Sequence, residues 1–375
     1  MSVKPRLQIV EPTLSNQAGH CYHHVYSLAQ ANREFDIRVW LDSKGAGLLC
    51  DLECEGNLFF RRRWRKIQLG SCYAKCLRDG DGIFVPTAGQ LDMAWVDILQ
   101  RLGVGSSKPS TVLFHFHQYR QTPAKLRRLK SWAEWHPDWY ILATTERLLE
   151  LFIRAGFHNC EVAYYPTLPP VCETPDKGVI KEPHLLYAGA LRQDKGFTQV
   201  VDYLTFLNKR QLDCPALIQC SPPSQKTANE IDPECAAALE RLMELNISSV
   251  QLIDHTLPLV EYQRMFHNAI CLLLYKKEAY HDKFSSVALE ALQLGAPIIT
   301  VADTWMGDVV ERYNAGIVVQ QITENVIHAA VERVRADYCS FQQRALSAGK
   351  ELASLHNPMN TLGIISGALK DSKPA

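Results

Sequence analysis

This sequence lacks any run of about 18 apolar residues, the length needed to cross a bilayer as a helix. Its longest apolar stretches, such as 269–275 (AICLLLY), are only strand-length. It lacks net charge as well: 40 Lys and Arg face 40 Asp and Glu, which excludes a nucleic-acid binder driven by overall charge. No cleavable apolar leader follows the start, MSVKPRLQIV, so the expectation is a cytoplasmic protein, in contact with a membrane at most peripherally. Closely spaced C-x2-C pairs are also missing. The 12 cysteines are scattered, several in apolar contexts such as Cys220 and Cys271, and read as reduced thiols rather than a disulfide framework. Cys50 with Cys54 and Cys72 with Cys76 make two pairs, each four positions apart. A tetrathiolate zinc site there is weighed against ordinary thiols, and ordinary thiols are favoured. The group His20, His23 and His24 reads as polar surface or ligand pocket rather than metal site.

What is present is enough apolar material, 47% of 375 residues, for two sizeable cores. The charge is unevenly placed. Residues 1–165 hold 21 Lys and Arg against 16 Asp and Glu, and the remainder holds 19 against 24. Strand-like runs at 7–12, 35–41, 82–86, 111–118 and 139–144 alternate with helix-like stretches, and 42–80 is harder to read. Pro166, Pro169, Pro170, Pro175 and Pro183 crowd one mid-chain stretch, which reads as a linker. The alternation then restarts, with strands expected at 184–191, 216–221, 250–254, 269–275, 296–301 and 316–319. This pattern predicts two α/β domains with parallel sheets: 1–165, a linker 166–183, 184–355, and a tail 356–375 that crosses back to the first domain.

Two segments of the second half carry chemistry. In DKFSSVALEALQLGAP (282–297), Asp282 and Glu290 flank a turn that opens a helix. Ser285, Ser286 and Val287 sit at that helix's N-terminus, where backbone N–H groups and the helix dipole suit a diphosphate. Glu290, one turn further in, suits the hydroxyls of a ribose. In YAGALRQDKGF (187–197), a strand ends in the Gly189 turn and a helix begins with two cations, Arg192 and Lys195. Cations aimed at one diphosphate stabilise it as a leaving group.

These segments resemble the donor-binding motifs of retaining family 4 glycosyltransferases. Phe284, Leu289, Glu290, Ala291, Gly295 and Pro297 fall in register with the first motif, and Gly189, Leu191, Lys195, Gly196 and Phe197 with the second. Asp282 stands where Glu is usual, Ser285 where Gly is usual, and Ala190 where Arg is frequent. The resemblance covers nearly the whole chain, being specific in the second half and loose over 42–110. It implies the GT-B fold, two Rossmann-like domains facing each other across a cleft. It implies a nucleotide-sugar donor held mainly by the second domain, with Arg192 and Lys195 on the diphosphate, Glu290 on the ribose and Asp282 on the sugar. It further implies backbone approach at Gly19 and a His contact to the donor sugar, for which His117 is preferred over His115. Transfer with retention needs neither cofactor nor metal in this scheme, and the acceptor is a carbohydrate or a lipid-linked sugar. Two other readings stay open: a sugar-nucleotide epimerase or hydrolase, and a catalytically silent protein of this fold that binds nucleotide or glycan.

Two basic stretches interleave with Trp, RRRWRK (61–66) and 125–139 with Arg127, Arg128, Lys130, Trp132, Trp135 and Trp139. Such stretches suit either an anionic membrane surface or a solvated face.

Overall fold

The computed structural model describes residues 4–17, 20–80, 82–106, 110–167, 169–171, 182–221, 231–255 and 257–371, with the side chain of His20 outside that description. The chain divides into two compact units, one formed by 1–168 with 355–375 and the other by 169–354.

The first unit runs β1 (Arg6–Val10), α1 (His20–Ala31), β2 (Asp36–Asp42), β3 (Cys54–Phe60), α2 (Arg65–Asp79), β4 (Gly82–Val85), α3 (Gln90–Arg101), β5 (Val112–Phe116), α4 (Pro123–Trp135), β6 (Tyr140–Ala143), α5 (Glu146–Ala155) and β7 (Cys160–Val162). Its strands form one parallel sheet in the order β3-β2-β1-β4-β5-β6-β7. Every residue of β4 and β5 is buried, as expected of strands covered on both faces.

The second unit runs β8 (His184–Tyr187), a 3-10 turn (Gln193–Lys195), α6 (Phe197–Lys209), β9 (Ala216–Gln219), α7 (Pro233–Leu245), β10 (Val250–Ile253), α8 (Leu259–Arg264), β11 (Ala269–Leu273), α9 (Lys277–Tyr280), α10 (Ser286–Gln293), β12 (Ile298–Val301), α11 (Trp305–Tyr313), β13 (Gly316–Val319), α12 (Glu324–Ala336) and α13 (Tyr338–Leu355). Its parallel sheet has the order β10-β9-β8-β11-β12-β13. Leu185 of β8 lies opposite Ile270 of β11, which sets the register of the two central strands.

The final helix, α14 (Pro358–Asp371), belongs to the first unit. Leu362, Ile365 and Ala368 pack into the same apolar cluster as Val25 and Leu28 of α1. The His356 ring accompanies this return, its Nδ1 lying 2.7 Å from the Tyr165 carbonyl. Helix starts are marked by hydroxyl caps. The Thr122, Thr145, Thr304 and Thr323 side chains accept from the N–H groups of Lys125, Leu148, Gly307 and Val326, satisfying donors that no intrahelical carbonyl reaches.

The stretch that resisted a sequence reading, 42–80, contains β3 and α2. The burial pattern of β3 (CEGNLFF) leaves only Phe60 fully covered, so an edge strand offered no continuous apolar run to detect. The paired cysteines do not form a tetrathiolate site. Cys72 and Cys76 are buried on α2 in one core cluster, Cys54 packs against the cluster that contains Leu7, and Cys50 is exposed. No helix among the described residues is long and apolar enough to cross a membrane.

Candidate active site

In the second sheet the chain winds one way from β8 through β9 to β10 and the other way from β11 through β12 to β13. The loops that leave the carboxyl ends of β8 and β11 therefore diverge and open a crevice, the position where open α/β sheets bind ligands. Both chemistry-bearing segments of the sequence arrive there.

The loop after β8 is shaped by glycine. Gly189 has φ +126°, and its N–H donates to Gln219 Oε1 at 2.9 Å. A Cβ on Gly189 would lie 2.8 Å from Lys195 Nζ. At Gly196, with φ +72°, a Cβ would lie 2.1 Å from the Leu274 carbonyl oxygen, so only glycine lets this turn press against the chain leaving β11. The Lys276 N–H donates to the Asp194 carbonyl at 3.0 Å and ties the two loops together. Within the turn, the Arg192 guanidinium donates to both oxygens of Asp194, from Nε to Oδ1 at 2.8 Å and from a terminal nitrogen to Oδ2.

The loop after β11 supplies the other wall. Lys195 Nζ stands 5.7 Å from the centre of the buried Tyr275 ring. Tyr275 packs on Tyr280 at 4.5 Å, and Lys283 Nζ lies 4.9 Å over the Tyr280 ring. Ser285 caps α10: its Oγ accepts from the Ala288 N–H at 3.3 Å. The Ser286 and Val287 N–H groups then remain at the helix start without an intrahelical acceptor. Glu290, one turn in, accepts a hydrogen bond from Tyr262 Oη at 3.1 Å.

These groups sense one another's charge. Burial, then the Arg192 charge, pulls the Lys195 ammonium down to about 8, with Asp194 and Glu290 opposing. Lys283 is lowered by burial and again by Arg192, against Asp194 and Asp282. Burial lifts the Glu290 carboxyl to about 7, with the Tyr262 hydrogen bond and Lys195 acting the other way. Cations crowded so that they depress each other's protonation form a poised anion site, because a bound dianion relieves the repulsion.

The structure thus gathers Gly189, Arg192, Lys195, Asp282, Ser286, Val287 and Glu290 around one crevice. Ser285 departs from the expectation: it is buried and serves as the cap, so the open N–H pair is Ser286 and Val287. Lys283, Tyr262, Gln219 and Asp194 were missed. Lys283 carried a detectable signal, lying beside Asp282 in the motif, whereas Tyr262 reaches Glu290 from 28 positions away. His117 belongs to the first unit, one residue beyond the end of β5. Gly19 lies outside the described residues. His24 is not surface but fully buried. Of the second basic stretch, Trp132 and Trp139 are core residues, because one face of α4 packs on the sheet, and only Trp135 is exposed.

Solved structures share this architecture along the full chain. The Anabaena protein HepE, solved in complex with UDP, superposes with a TM-score of 0.73 at 14% identity, covering 98% of this chain and 100% of that one. Sucrose-phosphate synthase from Thermosynechococcus elongatus gives 0.72 at 15% identity, covering 99% and 100%. A glycosyltransferase from Rickettsia africae gives 0.71 at 12% identity, covering 98% and 99%. The chain therefore has the GT-B fold, with two parallel-sheet α/β domains. No family model and no curated protein sequence matches it.

Proposed function

We propose that this protein is a retaining glycosyltransferase that moves a sugar from a nucleoside-diphosphate donor bound at the crevice of the second unit. One observation carries the reading: Arg192, Lys195 and Lys283 share electrostatic range at the switch point of the sheet, beside the open start of α10. That arrangement suits a diphosphate and its growing charge as the sugar departs. Glu290 accepts hydrogen bonds from the ribose hydroxyls, and Asp282 faces the sugar. The acceptor attacks on the face the diphosphate leaves, and a diphosphate oxygen takes its proton. The side-chain cations and the helix dipole supply the positive charge for this step. HepE, the structural neighbour solved with UDP and with UDP-glucose, supports a nucleotide sugar as the donor class.

The test combines binding with turnover. A nucleotide-sugar panel in a thermal-shift screen identifies the donor, since a ligand at about 100 times its Kd stabilises by ~2.7 kcal/mol. Donor consumption is then followed with and without a glycan acceptor, and the product anomer is read by NMR. Acceptor-dependent consumption with retained configuration is expected. Consumption independent of acceptor indicates a hydrolase or epimerase, and binding without consumption indicates a silent protein.

We infer further that the first unit meets an anionic membrane surface. Leu58, Trp64 and Ile67 are 51%, 60% and 63% exposed and line one groove with Arg61. Arg62, Arg63 and Lys66 are exposed beside them. Apolar side chains ringed by cations match the boundary between acyl chains and anionic headgroups.

A further inference from the structure

We propose that His24, His115 and His117 form a binding site for a zinc-like transition-metal ion in the first unit. The proposal is independent of the donor site, which lies in the second unit.

Three separate positions converge. α1 supplies His24, β5 supplies His115, and His117 follows β5 by one residue. Each ring offers one nitrogen, and these nitrogens lie within 4.8 Å of one another. The ring centres are 5.0 Å apart for His24 and His115, 5.1 Å for His115 and His117, and 5.3 Å for His24 and His117. Phe84 and Tyr165 wall the group. His24 and His115 are completely buried.

The tautomer of His115 suits a ligand. Its Nε2 lies 2.7 Å from the Ala163 carbonyl oxygen, which can only accept, so Nε2 carries the hydrogen. Nδ1 therefore keeps its lone pair, and it has no protein partner among the described residues. A ring held through one nitrogen by a backbone carbonyl, with the other nitrogen left as donor atom, is the usual support of a metal-binding histidine. Burial pulls His115 down to about 4, so the ring is neutral at neutral pH, the form that binds metal.

Burying several imidazoles side by side is costly unless their polar nitrogens find partners. A single ion would satisfy all three. An all-imidazole set favours zinc, copper or nickel over calcium or magnesium, which prefer oxygen. A tetrahedral ion with nitrogens at about 2.0–2.1 Å brings those nitrogens to about 3.4 Å from one another. His117, beyond the last paired residue of β5, has the freedom to swing in. Three protein ligands leave a fourth position for water or for an oxygen of a bound molecule.

The experiment uses the full chain, stripped with a chelator and dialysed against cobalt(II), which reports its ligands in the visible spectrum, and in parallel against zinc. One ion per chain is expected, with a tetrahedral cobalt spectrum free of thiolate charge transfer. Zinc should raise the melting temperature of the wild type. The variants His24→Asn and His117→Asn should lose both the ion and the zinc-dependent rise, while His23→Asn, at an exposed position of α1, keeps them. Absence of stoichiometric cobalt in the wild type overturns the proposal. So does a thiolate band, which would send the ion to the cysteines, or full retention of the ion by the two variants. Should the variants fail to fold, the wild-type stoichiometry and spectrum still decide.

Discussion

The Lys195 ammonium occupies the space that a side chain on Gly189 would need, with a Cβ at that glycine falling 2.8 Å from Nζ. The first turn of the donor crevice is therefore shaped around a cation. Gly189→Ala should push Lys195 aside and strain a backbone held at φ +126°, a conformation costing roughly 1–3 kcal/mol for a non-glycine residue. The expected outcome is a lower melting temperature together with weaker nucleoside-diphosphate binding. Calorimetry showing unchanged affinity in Gly189→Ala would mean that Lys195 does not need this place to hold the ligand.

Arg192, Lys195 and Lys283 should act on the leaving group together. Replacing Arg192 or Lys195 with Ala is expected to lower turnover by a factor on the order of 10² or more, the scale for losing one charge-stabilising donor. Lys283→Ala should lower it in the same direction. Circular dichroism should show intact folds, since these side chains lie on loops rather than in either core. Normal rates for all three variants would place the diphosphate elsewhere.

Donor affinity should peak in a narrow pH window. Glu290 binds hydroxyls as a carboxylate, and its pKa stands near 7 in the free protein, so affinity should fall as pH drops through that value. Lys195 binds phosphate as an ammonium and stands near 8, so affinity should fall again as pH rises past that value. Each limb loses about 1.4 kcal/mol per pH unit once its group has titrated. A nucleotide sugar is the proper ligand, because its phosphates are both esterified and do not titrate here. Glu290→Gln should abolish the acid limb and Lys195→Met the alkaline one. A flat profile for the wild type between pH 6 and 9, measured by titration calorimetry, would contradict both assignments.

Asp282 and Glu290 should divide the donor between them. Glu290→Ala is expected to weaken both bare nucleoside diphosphate and sugar donor by roughly 1.5–3 kcal/mol, the range for a hydrogen bond to a charged group. Tyr262→Phe should produce a smaller loss of the same kind, because Tyr262 orients Glu290. Asp282→Ala should spare the bare diphosphate and slow sugar transfer, and Asp282→Glu should alter which sugars are accepted. If Asp282→Ala weakens the bare diphosphate as much as Glu290→Ala does, this register of the motif is wrong.

The exposed patch of the first unit should bind anionic vesicles. Sedimentation with phosphatidylserine liposomes is expected at low salt and release at high salt, because screening shortens to about 3 Å at 1 M. Trp64→Ser with Ile67→Ser should reduce it, whereas Trp135→Ser should not, since Trp135 is covered by the Arg101 guanidinium at 4.4 Å. Equal recovery with neutral and anionic vesicles would remove the membrane from the account.

Much of this protein is written locally in its sequence. Strands buried on both faces, such as LQIV in β1 and AICLL in β11, appear as unbroken apolar runs whatever lies beside them. Gly189, Arg192, Lys195 and Gly196 share one turn, and Asp282 and Glu290 flank the start of one helix, so short-range spacing suffices to find them. The edge strand β3 escaped because its fold depends on a neighbour and not on its own pattern. The same limit hid Tyr262, which meets Glu290 only when α8 packs beside α10, and it hid the meeting of His24 with His115 and His117 across α1 and β5. The role of Ser285 was decided by the backbone geometry at the start of α10, which turns its hydroxyl inward onto the Ala288 N–H. The pKa values of Glu290 and Lys195 belong wholly to the tertiary structure. Sequence names the ionisable group, but the free energy of its charge depends on how much water folding removes and which distant charges it brings near.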